Sequence, residues 1–208
     1  MEKGDVPTVL ALSHGSGDPK RDDVVGVFLD ADGHFREHVK ISNLYAPSEQ
    51  ERTDLVELLR RRRPQVTVIG GYSPNTKRLM ADFRSFAQGV TDIIVNERED
   101  QPADDSDEPR LSAEELTSRA TFESIYVYDE VARLYSNSQR AALEFPDLGK
   151  LGKYCVGLAR YAQSPLNEYA ALGSDITALN YDLNQKFVSR QSRLSLRCAC
   201  SQLTDQIE

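Results

Sequence analysis

The chain has 208 residues, 39% of them apolar and 28% charged, with a formal net charge of −8; that is enough length to bury a core without disulfides or metals. No apolar run approaches the roughly 20 residues of a membrane-spanning helix, and the opening MEKGDVPT lacks the apolar stretch of a secretory signal, so a soluble intracellular protein is expected. Seven of the eight net charges lie between Glu97 and Glu115, where nine acids face only Arg98 and Arg110; the near-neutral remainder neither supports nor excludes a nucleic-acid surface.

Taken in chain order, Thr8 to Ser13 reads as a buried strand, and His14 to Pro19 as a loop. Val24 to Leu29 and Phe35 to Ile41 are two further strands joined across Asp30-Ala31-Asp32-Gly33, a turn built from residues that tolerate positive φ. Ser48 with Glu51 three residues on is a capping box, and Leu55, Leu58 and Leu59 give the helix that follows its apolar face. Arg60 to Arg63 close that helix before Pro64. Gln65 to Ile69 is a fourth strand, Gly70-Gly71 a turn, and Pro74 to Gln88 a second helix burying Leu79, Met80, Phe83 and Phe86.

Thr91 to Asn96 reads as a fifth strand on its β-branched residues, although Ile125 to Val127 competes for that place and both are candidates. The acidic stretch of about residues 97–111 lacks large apolar side chains and is expected to be a disordered insertion; Ser112 to Glu115 then resembles a helix start. Helices are expected at Asn137 to Phe145, Lys150 to Ala162 and Pro165 to Leu172, and a short strand at Ala178 to Tyr181. Residues 1–188 are read as one domain. Residues 189–208 show no periodicity and are read as an atypical tail, disordered or of foreign origin.

The stretch from Ile125 to Leu166 carries an ordered set of motifs: Asp129-Glu130, Tyr135-Ser136-Asn137-Ser138, Glu144-Phe145-Pro146-Asp147-Leu148, and Ala159-Arg160-Tyr161-Ala162-Gln163-Ser164-Pro165-Leu166. In that order and at near-family spacing, the set resembles the YqgF/RuvC-like domain family, found in the bacterial transcription factor Tex and in related eukaryotic elongation factors and histone chaperones. The likeness covers residues 7–188. It implies an α/β, RNase H-like (YqgF/RuvC-type) mixed sheet flanked by helices, the fold whose order is three strands, helix, strand, helix, strand, helix. It also implies a nuclear protein acting on chromatin with the RNA polymerase II elongation complex and histones through the full-length chain. This domain would then be a scaffold against neighbouring modules of the same chain, with RNA or DNA contact as a further option and no membrane partner.

Nucleases of RuvC type hydrolyse phosphodiesters with two divalent metals held by about three or four carboxylates. The resemblance puts Ser13 where the first-strand aspartate would stand, Gly70-Gly71 after the fourth strand without an acid, and Ser164 where an aspartate often precedes Pro-Leu. A neutral hydroxyl is a poor ligand for Mg²⁺. Only Asp129 and Glu130 remain, and the plainer account of that pair is a helix N-terminus, where acids favour the macrodipole and accept backbone N–H groups. No catalytic residue, metal or cofactor is therefore expected. The competing reading is a metal-dependent nuclease acting on structured DNA or RNA through Asp129, Glu130 and Asp18 or Glu168.

A third option is nucleic-acid binding through Arg60, Arg61, Arg62 and Arg63 with Lys77 and Arg78, against the plainer role of cations at a helix C-terminus. Other constellations are weaker. A calcium loop starting at Asp30 would need a glutamate at its twelfth position, which is Ile41. His34 and His38 read as exposed strand residues. Ser13 and His14, as adjacent strand residues, should face opposite ways, and neither Gly15-Ser16-Gly17 nor Gly70-Gly71 has the spacing of a P-loop. Cys155 lies on the helical stripe Leu151, Cys155, Leu158, Ala162 and reads as core, while Cys198 and Cys200 lack the second pair of a zinc site. A reduced compartment fits.

Overall fold

The computed structural model describes residues 6–14, 23–42, 44, 47–71, 74–99 and 122–179. Five strands form one mixed sheet: β1 (Val9–Ser13), β2 (Val24–Leu29), β3 (Phe35–Ile41), β4 (Val66–Gly70) and β5 (Glu123–Val127). Their spatial order is β3-β2-β1-β4-β5, with the first three antiparallel in turn and β4 and β5 running parallel to β1. This is an RNase H-like α/β sheet. Every residue of β1 and β2 is buried, because both faces of the sheet's centre are covered by helices, and their unbroken apolar runs are the sequence mark of such strands.

One face packs against α1 (Glu49–Arg62) and α2 (Pro74–Glu99). Leu10, Leu12 and Phe28 from the strands meet Leu55, Leu58, Leu59, Leu79, Met80 and Phe83 there. The other face, carrying Val9, Ala11 and Val27, packs against α5 (Lys150–Gln163) through Cys155, Val156, Leu158 and Ala159. Alternation along β1 thus feeds two separate cores. Behind α5 lies α3 (Glu130–Ser136), whose close approach needs Gly157: a Cβ there would stand 2.8 Å from the Tyr135 ring and 3.2 Å from the Ala132 backbone. Two short helices, α4 (Gln139–Glu144) and α6 (Pro165–Ala171), flank this layer.

Four expectations change. Thr91 to Asn96 is helix, the continuation of α2 to Glu99. Phe83, Ala87, Val90 and Thr91 are buried at helical spacing, so the packed stripe overrides the β-propensity of the Thr91 to Asn96 run. Residues 97–99 therefore belong to α2, and the fifth strand is the one containing Ile125. The helix expected over Asn137 to Phe145 is shorter, Gln139–Glu144, and a separate helix, Glu130–Ser136, precedes it across Asn137-Ser138. Ala178 ends a 3₁₀ turn, Gly173–Ala178, rather than starting a strand. Asp18, the remainder of the acidic insertion, Ser112 to Glu115, the 189–208 tail with Cys198 and Cys200, and Asn180-Tyr181 lie outside the described residues. Among the described residues no helix is long and apolar enough to cross a membrane.

Candidate functional site

Because β1, β4 and β5 run parallel, their C-terminal ends share one edge of the sheet, and the register sets Gly70 beside Val127. The residues just past those ends line a cleft of about 680 Å³, at the edge where parallel α/β sheets place their ligands. Ser13 comes from β1, Gly70 from β4 and Asp129 from the turn after β5, while α3 contributes Arg133 and α5 contributes Tyr154. His14 also lines the cleft. It follows the last strand residue, so the opposite-facing rule for adjacent strand residues does not separate it from Ser13.

The resemblance to RuvC-type nucleases implies carboxylates at the first three positions, and of these only Asp129 is one. Its side chain is 13% exposed, and Oδ2 accepts from Arg133 Nε at 2.7 Å, pairs with Arg133 Nη2 at 2.7 Å and accepts from the Tyr154 hydroxyl at 3.0 Å. Burial first, and then the Asp129 charge, push the Tyr154 phenol well above its usual range, so it remains a donor. Asp129 does occupy the N-cap position of α3, but its side chain makes no capping bond to the helix backbone. The helix N-terminus reading of Asp129 thus holds for its position but not for a capping bond, and its carboxylate pairs with Arg133 one turn on. Glu130 lies in the first turn of α3, where the macrodipole favours it.

Gly70 explains why a second carboxylate has no room. A Cβ at Gly70 would fall 2.1 Å from the Tyr154 hydroxyl and 3.1 Å from Asp129 Cβ, so Tyr154 fills the volume that a side chain at the end of β4 would use. One carboxylate, neutralised by a guanidinium, is a poor donor set for Mg²⁺, which demands several oxygen ligands around a site free of other cations. The described residues of the cleft do not fit a two-metal centre.

Glu168, named above as a spare ligand, belongs to a different cluster. It is buried and meets Arg140 Nη2 at 3.5 Å. Arg140 and Arg160 both bind Glu144, at 2.8 and 2.7 Å, and the Tyr135 hydroxyl donates to Glu144 at 2.8 Å. Arg160 also lies over the rings of Tyr135 and Phe145. Tyr135, Glu144, Phe145 and Arg160 are motif residues, and here they tie α3, α4 and α5 together, with Arg140 extending the tie to α6. Ser164 caps the junction of α5 and α6 without a side-chain capping bond and does not line the cleft.

The arginine run is spread around the end of α1. Arg61 and Arg62 both pair with Glu37 of β3, the latter at 3.1 Å, and Arg62 lies 5.7 Å from the centre of the Phe28 ring. Arg63 is the left-handed C-cap, its N–H donating to the Leu59 carbonyl at 3.0 Å. Arg60 borders a separate shallow groove on α1 with Arg52 and Glu57. Lys77 and Arg78 are exposed near the start of α2. Asp30 is engaged within its own turn by the backbone N–H groups of Asp32 and His34 and by Arg36 at 2.5 Å, as a turn aspartate would be. His34 and His38 are exposed, and Cys155 is fully buried in the core.

The sequence reading did not single out Arg133, Tyr154 or Lys150. Arg133 had a signal, since it stands four residues after Asp129 on a helix. Tyr154 had none: it reaches Asp129 from 25 residues away.

Residues 108–173 match the YqgF family described as Holliday-junction resolvase-like of SPT6. The chain is also similar to transcription elongation factor SPT6 of Mycosarcoma maydis, 41% identical over 94% of this chain and 12% of the relative. The corresponding factor of Neurospora crassa is 40% identical over 93% of this chain and 13% of the relative, and that of Schizosaccharomyces pombe 34% identical over 88% and 11%. The chain thus spans about an eighth of the length of the curated relatives it matches. With an RNase H-like sheet, a family match over the motif-bearing helices and similarity to SPT6 along nearly its whole length, the chain belongs to the YqgF, resolvase-like domain family of SPT6.

Proposed function

We propose that this chain is a catalytically silent YqgF-like module of a transcription elongation factor, serving as a scaffold. The factor would act in the nucleus with the RNA polymerase II elongation complex and with histones, and those contacts would be made by the full-length protein. The names of the relatives support the elongation role. Silence is supported above all by one arrangement: Asp129, the one carboxylate among the described cleft residues, is held by Arg133 and Tyr154, and the Tyr154 hydroxyl fills the space beside Gly70. Divalent-metal hydrolysis needs converging carboxylates to bind the ions and stabilise the charge that develops on phosphate. A guanidinium paired to the one carboxylate among the described cleft residues competes with any incoming cation.

The scaffold role is supported by the cluster that binds α3, α4, α5 and α6 into a rigid layer. The test is incubation of the purified protein with Mg²⁺ or Mn²⁺ and labelled single-stranded, duplex and four-way-junction substrates, beside an Asp129→Asn variant. No cleavage above the metal-only control is expected. Cleavage by the wild type that disappears in the variant would sink the silent reading and give the site to a nuclease.

A further inference from the structure

The cleft that lacks a metal-binding donor set has the complementary chemistry, and the geometry points to a receptor for a single phosphate monoester, a tetrahedral dianion, held by Lys150, Arg133 and Ser13. This goes beyond scaffolding and rests on the reading that the cleft holds no divalent metals.

Lys150 is the first observation. It lines the cleft as the first residue of α5, and its ammonium has no hydrogen-bond or ion-pair partner among the described residues. A cation at a helix N-terminus opposes the macrodipole. The first turn of α5 offers no acid to offset it. Lys150 is exposed, so its ammonium stands free at the mouth of the cleft, where an anion can meet it.

Ser13 is the second, and it is independent of any helix. It is 8% exposed, lines the same cleft, and its hydroxyl has no side-chain hydrogen-bond partner among the described residues. The residue is largely buried yet lines the cleft, so its hydroxyl is placed to donate to a ligand there. Arg133 is the third. Its Nε and Nη2 serve Asp129 Oδ2, which fixes the guanidinium plane and leaves Nη1 for a second acceptor. Asp129 subtracts one charge, and Arg133 and Lys150 supply two, so the described lining residues carry one net positive charge.

Local concentration of charge distinguishes a monoester from a nucleic-acid strand. A strand needs a basic track along several phosphates and aromatic platforms for its bases. The chain's dense cationic run, at Arg60 to Arg63, has two members paired to Glu37. A dianion confined to one cleft meets only the local cations.

The experiment follows backbone amide shifts of the 208-residue protein during titration with inorganic phosphate, against sodium chloride of equal ionic strength. Saturable shifts at Gly71, Thr76 and Leu151 with a roughly millimolar dissociation constant are expected. Lys150→Glu should weaken binding about tenfold or more, whereas Lys153→Glu, the same charge change outside the cleft lining, should alter it less than about twofold. Ser13→Ala should weaken it a few-fold. Parallel titrations with O-phosphoserine and with adenosine monophosphate distinguish a phosphorylated side chain from a nucleotide as the source of the monoester, and dimethyl phosphate should bind more weakly than either. Absence of saturation, or equal effects of the two lysine variants, overturns the proposal. So does an oligonucleotide without terminal phosphate that binds more tightly than phosphate. Mg²⁺-dependent shifts centred on Asp129 would instead overturn the metal-free reading on which the proposal rests, a result separable from simple failure to bind phosphate.

Discussion

At the scale of single residues, the cleft is defined by an exchange of volume between Gly70 and Tyr154. The Tyr154 hydroxyl reaches over the end of β4 to donate to Asp129, and it can do so only because Gly70 has no Cβ. Gly70→Ala would place a carbon 2.1 Å from that oxygen, a contact that requires Tyr154 to leave its seat. Overpacking of this kind costs about 1–3 kcal/mol. Removing the offending atom in Tyr154→Phe should recover part of the loss, so the double variant is expected to be more stable than the sum of the single changes implies, with a coupling of at least ~0.5 kcal/mol in urea denaturation. Strict additivity would mean that the two residues do not contend for the same space. Part of this site could be read from the chain: Ser13 and the glycines after β4 announce missing carboxylates. The substitute could not, because a tyrosine on a helix 25 residues from its partner is indistinguishable from any other amphipathic position until the helix is docked.

Among the elements, the junction between α3 and α4 shows what a motif can specify besides chemistry. Ser136 Oγ and Asn137 Nδ2 both donate to the Arg133 carbonyl, at 2.9 and 2.7 Å, and Ser138 Oγ donates to the Tyr135 carbonyl at 2.7 Å. These bonds satisfy carbonyls orphaned by the end of α3. Ser138 then accepts from the Ala141 N–H at 3.1 Å and starts α4. Tyr135-Ser136-Asn137-Ser138 is thus a helix stop followed at once by a helix start, which sets the direction of α4 and delivers Glu144 to Tyr135, Arg140 and Arg160. Ser138→Ala should cost about 1 kcal/mol, the usual loss for a serine N-cap, while Ser138→Asp, an equally good cap, should retain most of the stability. A variant as stable as the wild type would mean that packing alone holds the turn. The apolar periods of α1 and α5 were legible in the sequence because each buries one stripe, and so was the β1–β3 meander from its turn residues. The end of α2 was not, since a β-branched run such as Thr91 to Asn96 satisfies strand propensity and helix packing alike, and only the neighbouring core decides between them.

Over the whole molecule, stability against pH is a contest between carboxyls shifted in opposite directions. Glu51 closes the capping box of α1, accepting from the Ser42 hydroxyl and the Ser42 and Ser48 backbone N–H groups, and these bonds hold its carboxyl down to about 2. Glu144 also sits low, because Arg160, Tyr135 and Arg140 outweigh the opposing effect of burial. Groups lowered in the folded state contribute stability that is present above their unfolded value and lost as pH falls through the folded one; acid should therefore weaken α1 and the α3–α6 layer together. Glu168 runs the other way. Burial raises its carboxyl despite Arg140 and Arg160, so its contribution is fully present below the unfolded value and is lost as pH rises through the raised one. At pH 7 its charge is a net burden on the fold. Glu168→Gln keeps the shape and removes the charge, and should raise the melting temperature at pH 7 by a few degrees, given that about 1 kcal/mol moves a chain of this size by roughly 2–4 °C. At pH 4, where the wild-type carboxyl is largely protonated, the two proteins should melt together. Thermal melts at the two pH values decide it, and a lower melting temperature for the variant at pH 7 would show that the 3.5 Å contact with Arg140 outweighs the cost of burying Glu168.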